Sequence, residues 1–234
     1  MLSINNLCKD YDELKLSVLR DVSFNVEDGE IVMILGPSGC GKSTLLNIIS
    51  KNIDLYRGSV NFKGRKLGYV FQEDRLLPWK SVIENVHLVD ENSSFKKAKR
   101  MLKAVDMQGF ENYYPKNLSG GMKQRCSIAR ALYFGSDLLL LDEPFKSLDH
   151  ALRKEMLSLL YKINRETNIS ILYVTHDIDE ALTLANRIIV FSNRPAKIIG
   201  NYKIEENQNL RNLEDTKYVE LKKKIINLLG TPDK

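Results

Sequence analysis

"EIVMILGPSGCGKSTLLNIIS", residues 30–50, decides how the rest of the chain is read. Five apolar residues follow Glu30, the length of a strand, and the closing STLLNIIS spaces its apolar side chains as a helix does. Between them Gly36, Gly41, Lys42 and Ser43 satisfy G-x-x-x-x-G-K-[ST] in the strand–loop–helix setting that this pattern requires. The glycines let the backbone curl until several N–H groups point inward, and the helix behind presents its partly positive end, so both features favour a phosphate. Lys42 adds a mobile charge between β- and γ-phosphates, and Ser43 offers a hydroxyl to Mg²⁺. The candidate cradle is therefore Gly36, Pro37, Ser38, Gly39, Cys40, Gly41, Lys42, Ser43 and Thr44. Within it Cys40 reads as a small filler, since no residue nearby identifies itself as a base for a nucleophilic thiol.

Working outward, further strand-like runs recur with helical stretches between them: LGYVF (67–71), DLLLLD (137–142), ISILYVT (169–175) and RIIVFS (187–192). Continuous apolar strands belong to a sheet buried on both faces, which predicts an α/β core with a parallel sheet. LSINNL, VSFNV and GSVNF instead alternate apolar and polar residues, as half-exposed antiparallel strands do. Residues 81–134 carry helical patterns and no convincing strand, with Ser81 and Glu84 at capping-box spacing, and predict an inserted helical lobe. Near the end, Tyr218, Leu221, Ile225, Leu228 and Leu229 share one face of a helix over 215–230, with Gly230 and Pro232 as its stop signal. A domain over 1–200 with a helical lobe at about 81–134, followed by a one-helix extension over 201–234, is the expected organisation.

A Mg²⁺–triphosphate needs an acidic partner. LLLLDEP (138–144) supplies Asp142 at the exit of a buried strand, where parallel-sheet sites form. Glu143 follows at once and is placed to orient an attacking water or take its proton.

Bulk properties bound the partners. The 234 residues are 43% apolar and 28% charged, enough for a real core, and the +5 balance is scattered rather than gathered into a nucleic-acid-binding arm. The densest basic run, FKKAKRMLK (95–103), reads as a solvated helix face, with Phe95, Ala98, Met101 and Leu102 at helical spacing and its charges on the other faces. Cys8, Cys40 and Cys126 form an odd set without metal-ligand spacing, which fits free thiols in a reducing compartment. No charged leader opens the chain and no apolar run approaches the ~18 residues of a span, so any membrane role comes through a partner.

LSGGMKQR (118–125) brings a second glycine pair. Alone, Ser119 with Gly120 and Gly121 would be a helix cap. Beside the other two motifs and in their order, the stretch resembles the signature of ABC-type ATPases, a likeness that spans about residues 1–200. The resemblance implies a RecA-like P-loop core with an antiparallel β subdomain and a helical subdomain. It implies ATP as substrate, Mg²⁺ as cofactor, and two chains docked head to tail, so that Ser119, Gly120 and Gly121 serve the neighbour's γ-phosphate. It further implies that Gln72 senses Mg²⁺ and the attacking water, that His176 is a switch histidine at the γ-phosphate, and that Asp149 crosses the dimer interface. Tyr11 resembles the aromatic that stacks on adenine, and an exposed turn tyrosine fits the same residue. His87 and His150 match nothing of the kind.

RLLPWKSVIENV (75–86), DEPFKSLD (142–149) and FSNRPAKI (191–198) are similar to ATPase subunits of nitrate, sulfonate and taurine importers. That likeness implies a permease partner contacted through Gln72 to Trp79, an extracytoplasmic solute-binding protein at one remove, and a peripheral place on the cytoplasmic face of the membrane. Leu76, Leu77, Pro78 and Trp79 fit either a piece of core or a groove for a short permease helix with Trp79 as anchor. Lys146 and Ser147 depart from the usual Gly-Ala, and Ala196 from the usual Gly. After the phosphate loop Asn52 is expected to take a left-handed helix-end conformation. Two other classes fit less well. A soluble ABC-type ATPase acting on nucleic acid or ribosomes is favoured only by the pI of 8.9, and a P-loop small-molecule kinase leaves residues 118–125 and Glu143 without a task.

Overall fold

A computed structural model of the protein describes residues 1–11, 15–54 and 56–230. In chain order the strands and helices are β1 (Leu2–Tyr11), β2 (Leu16–Val26), β3 (Ile31–Leu35), α1 (Lys42–Ile49), β4 (Arg57–Phe62), β5 (Leu67–Val70), α2 (Val82–His87), α3 (Phe95–Ala104), α4 (Gly120–Phe134), β6 (Leu138–Asp142), α5 (His150–Thr167), β7 (Ser170–Thr175), α6 (Ile178–Leu184), β8 (Arg187–Phe191), β9 (Ile198–Lys203) and α7 (Thr216–Gly230). They divide into two compact units, Met1–Gly64 with Ser170–Lys234, and Arg65–Ile169.

In the first unit β3 lies between β7 and β8 and is parallel to both, with Ile31 opposite Ile171 and Val32 opposite Arg187. Every residue of β3 and of β7 is buried. Such strands run apolar throughout because each face of the sheet is covered, and each fully buried Ile or Leu contributes about 1.5–3 kcal/mol. β9 closes the edge antiparallel to β8; its half-exposed sequence, IIGNYK, lacks the continuous apolar run that marks its neighbours. β1 pairs antiparallel with β2 and β4 in a three-stranded sheet, and its burial alternates along the first residues as the sequence pattern requires.

The end of α1 corrects one expectation. Lys51, not Asn52, takes the left-handed conformation, at φ 59°. Asn52 N–H donates to Asn47 O at 2.8 Å and Lys51 N–H to Ile48 O at 3.0 Å, a Schellman pair. That pairing puts the left-handed residue one position earlier. Asn52 then uses its side-chain amide to bond Ser50 Oγ at 3.0 Å.

In the second unit β5 and β6 are parallel, Leu67 opposite Leu138, and no strand interrupts residues 81–134. The Glu84 carboxylate accepts from both the N–H and the hydroxyl of Ser81 at 2.7 Å, which starts α2 and holds the carboxyl below its usual range. On α3, Ala98 and Leu102 are buried while Phe95 is exposed and stacked on His87, ring centres 4.0 Å apart. Phe95 thus caps a surface stack rather than filling the core, and His87 is a packing residue. In α7 the expected inward face is led by the buried Tyr218 and Ile225; Pro232, the proposed stop, lies outside the described residues.

Candidate active site

The phosphate loop is built within the first unit. Gly39 and Gly41 adopt φ +77° and +124°, conformations that side chains resist, and a Cβ on Gly41 would meet Val18 Cγ1 at 2.8 Å. Lys42 is nearly buried, and its ammonium donates to Gly36 O at 2.7 Å and Pro37 O at 3.0 Å. Those bonds fold the side chain back over the loop. Ser38, Gly39 and Ser43 are exposed, Pro37 and Thr44 half-buried. Cys40 is buried, and desolvation pushes its thiol up, as a filler requires.

One supporting residue escaped the sequence reading. Arg194 donates through Nε to Gly39 O at 2.9 Å, and through Nη2 to the same oxygen, propping the loop from the β8–β9 turn. A recess of about 590 Å³ beside the loop is lined by Leu16, Arg20, Ser38, Gly39 and Arg194 among others. The only signal for Arg194 was its place in FSNRPAKI, which marks a subgroup and not a contact.

His176 follows β7 and is exposed at the turn into α6. The turn is held rigidly beneath it. Tyr173 and Thr175 hydroxyls donate to Glu180 Oε2 at 2.6 and 2.8 Å, and Asp177 accepts from the N–H groups of Asp179 and Glu180. Glu180 is buried, and the sequence reading missed it because an acid two residues into a helix resembles a dipole-compensating surface residue. Tyr11 ends β1 half-buried, with the Lys9 ammonium 4.5 Å from its ring centre.

The second unit carries the acidic and signature residues. Tyr69 OH donates to Asp142 Oδ2 at 3.3 Å, and burial, then the Asp142 charge, raise the tyrosine well above its ordinary value. Tyr69 was legible only as a strand residue. Glu143 turns out of β6 at φ 42° and is nearly buried; Lys146 Nζ pairs with its Oε2 at 2.9 Å. Ser119 caps α4 by accepting from Met122 N–H at 3.3 Å, leaving Ser119 and Gly120 exposed and Gly121 buried. Asp149 caps α5, accepting from Leu152 N–H at 2.9 Å, and is exposed.

Gln72 is exposed at the start of a loop bound along α4. Gln124 Nε2 donates to Gln72 O at 3.2 Å, Ser127 Oγ to Asp74 O at 2.9 Å, and Arg130 to Arg75 O and Asp74 O at 3.0 and 3.1 Å. The fully buried Asn85 holds the far end through Leu77, Lys80 and Ser81. The apolar run 76–79 divides: Leu76 is buried, and Trp79 is 70% exposed.

A glycine loop of this geometry after a buried parallel strand, with an acid-terminated strand and a serine-capped glycine helix on the same chain, defines a P-loop ATPase. The ABC transporter family matches residues 19–146, more than half of the chain, and the protein belongs to that family as an ATP-binding, ATP-hydrolysing cassette. It is 45% identical over 183 residues to an aliphatic sulfonates import ATP-binding protein of Pseudomonas syringae pv. tomato, covering 78% of this chain and 79% of the relative. It is 40% identical over 212 residues to the taurine import ATP-binding protein of Escherichia coli K12, covering 85% and 82%. Among solved structures, the dimeric structure of MJ0796, a bacterial ABC transporter cassette, superposes with a TM-score of 0.78 at 31% identity, over 88% of this chain and all of that one. A post-hydrolysis state of the same cassette bound to ADP and Pi gives 0.77 at 31% identity, over the same shares of the two chains.

Proposed function

We propose that this cassette drives an importer for a small anionic solute in the nitrate, sulfonate and taurine range, working as a head-to-tail dimer on a separate permease at the cytoplasmic face of the membrane. The sulfonate and taurine import relatives support the solute class, and the dimeric cassette supports the assembly. The observation that carries the reading is that one chain holds both a phosphate loop and an exposed Ser119–Gly120 edge opening a 15-residue helix. The alternative of an ATPase acting on nucleic acid or ribosomes finds no support among these relatives.

In this reading the N–H groups of residues 36–44 and Lys42 bind the triphosphate, Tyr11 receives the adenine, and Ser119, Gly120 and Gly121 approach the γ-phosphate held by the other copy. Ser43, Asp142 and Gln72 are the candidate Mg²⁺ ligands. They offer hard oxygen donors, the chemistry that Mg²⁺ takes, and Tyr69 fixes one Asp142 oxygen. Among the described residues no group of three or more His, Cys, Asp or Glu could hold a metal alone, so such an ion would complete its shell with phosphate oxygens and water. When bound, Mg²⁺ neutralises charge that develops on the phosphate oxygens. Glu143 orients the attacking water, His176 contacts the γ-phosphate from its braced turn, and Asp149 meets the second chain. Most of the rate then comes from positioning and preorganised charge. The exposed Trp79 is the anchor for the permease, and the solute-binding protein acts through that permease.

Glu143→Gln tests the reading. The variant is expected to bind ATP and to persist as a closed dimer on size exclusion without turnover. Wild-type hydrolysis by it would remove Glu143 from the chemistry.

A further inference from the structure

We propose that Lys146 is a brake on Glu143: its ammonium engages one oxygen of the carboxylate proposed to orient water, and hydrolysis speeds up when that contact opens. The proposal rests on the role given to Glu143 above. Lys146 Nζ lies 2.9 Å from Glu143 Oε2, and the two side chains are 44% and 10% exposed. The pair therefore joins a flexible chain with a path to solvent to a carboxylate that has almost none.

The contact is set by the backbone and not by chance approach of two long side chains. Lys146 N–H donates to Glu143 O at 3.3 Å, closing the turn Glu143-Pro144-Phe145-Lys146. Pro144 fixes φ at the second position of the turn, the fully buried Phe145 anchors it, and Leu148 N–H donates to Phe145 O at 3.1 Å. The Lys146 stem thus starts within reach of the carboxylate on every copy of the chain.

Chemically the effect is competition. A carboxylate that orients water must accept from a water O–H, and an ammonium at hydrogen-bond distance is the stronger donor for the same lone pairs. While the pair is closed, water meets a carboxylate already engaged. Opening needs only rotation of the four-carbon lysine stem, because Lys146 is the more exposed partner and Glu143, just after β6, is nearly buried. Asp149, three residues on, is the exposed cap of α5 and the candidate interface acid, so docking of a second copy reaches the turn that carries Lys146. A chain waiting for its partner would then keep its ATP.

The test is steady-state ATP hydrolysis by the full chain over a range of ATP concentrations. Lys146→Met is expected to raise kcat by about two- to fivefold, the rate equivalent of a half-exposed ion pair, with KM for ATP unchanged. Lys146→Gln should act in the same direction, and Lys146→Arg, which keeps a cation in reach, should return the rate toward wild type. Damage to the fold lowers activity, so it cannot imitate a gain. Combining Glu143→Gln with Lys146→Met must leave the chain as inactive as Glu143→Gln alone. Neutral variants at or below the wild-type kcat, or a gain that survives without Glu143, would overturn the brake. If Glu143→Gln itself turns over normally, the reading of Glu143 has failed; if it is dead while Lys146→Met is unchanged, only the brake has.

Discussion

Two adjacent glycines of the signature should respond oppositely to the same methyl group. A Cβ added at Gly121 would lie 2.6 Å from Leu152 Cδ2, 2.9 Å from Cδ1 and 3.0 Å from Cγ, so Leu152 must move as a whole. At Gly120 the nearest atom is Leu148 Cδ2 at 3.5 Å, an ordinary contact. Overpacking costs about 1–3 kcal/mol, and replacing helical glycine by alanine returns at most about 1 kcal/mol. Gly121→Ala is therefore expected to lose a net ~0–3 kcal/mol, and at ~2–4 °C per kcal/mol for a chain of this size its Tm falls by up to about 12 °C. Gly120→Ala should match or exceed wild type in Tm while losing ATPase activity, because this exposed residue belongs to the surface proposed to meet the second copy. Thermal unfolding without nucleotide, followed by circular dichroism, reads the first effect and steady-state hydrolysis the second. The cause is checked by Gly121→Ala with Leu152→Ala, which should be less destabilised than the two single losses summed. Equal melting of the two alanine variants, or strict additivity in the double, would refute the packing argument.

Trp79→Ala should leave Tm and ATP affinity nearly unchanged, since the side chain is 70% exposed, while weakening copurification with permease subunits; equal loss of ATP and permease binding would return Trp79 to a structural role. Tyr218 gives a pH test. Burial and then its hydrogen bond to the Glu206 carboxylate push the hydroxyl up to about 12, against ~10 unfolded. The folded chain keeps a proton that the unfolded chain releases, so this stabilisation is complete below about pH 10 and is lost as pH rises toward about 12. Tm measured across that window should fall more steeply for wild type than for Tyr218→Phe, and parallel curves would contradict the assignment.

What the sequence made legible were features with a short-range cause. IVMIL and SILYVT run apolar because both faces are covered, and Ser119 and Asp149 cap helices through their nearest neighbours. What it hid depended on contacts distant along the chain. Arg194 bonds Gly39 across 155 positions and Tyr69 bonds Asp142 across 73, with no local pattern to announce either. β9 was missed because an edge strand lacks its neighbours' apolar run, and Lys51 because a Schellman end is fixed by hydrogen-bond register, which composition does not encode. Trp79 shows the limit from the other side: LLPW is uniformly apolar, yet Leu76 is buried and Trp79 exposed, while Asn85 grips the loop backbone between them at Leu77.

These long-range bonds also bear on how α4 and the loop proposed to face the permease would act together. α4 begins at Ser119, and one of its sides holds the carbonyls of Gln72, Asp74 and Arg75 through Gln124, Ser127 and Arg130. Four hydrogen bonds to one loop leave it little freedom to lag behind the helix, and the buried Asn85 holds its other end. If Ser119 meets the second copy's nucleotide as proposed, a shift of α4 would reach the backbone beside Gln72 through those bonds. In that reading the loop follows α4, whose hydrogen bonds set its position.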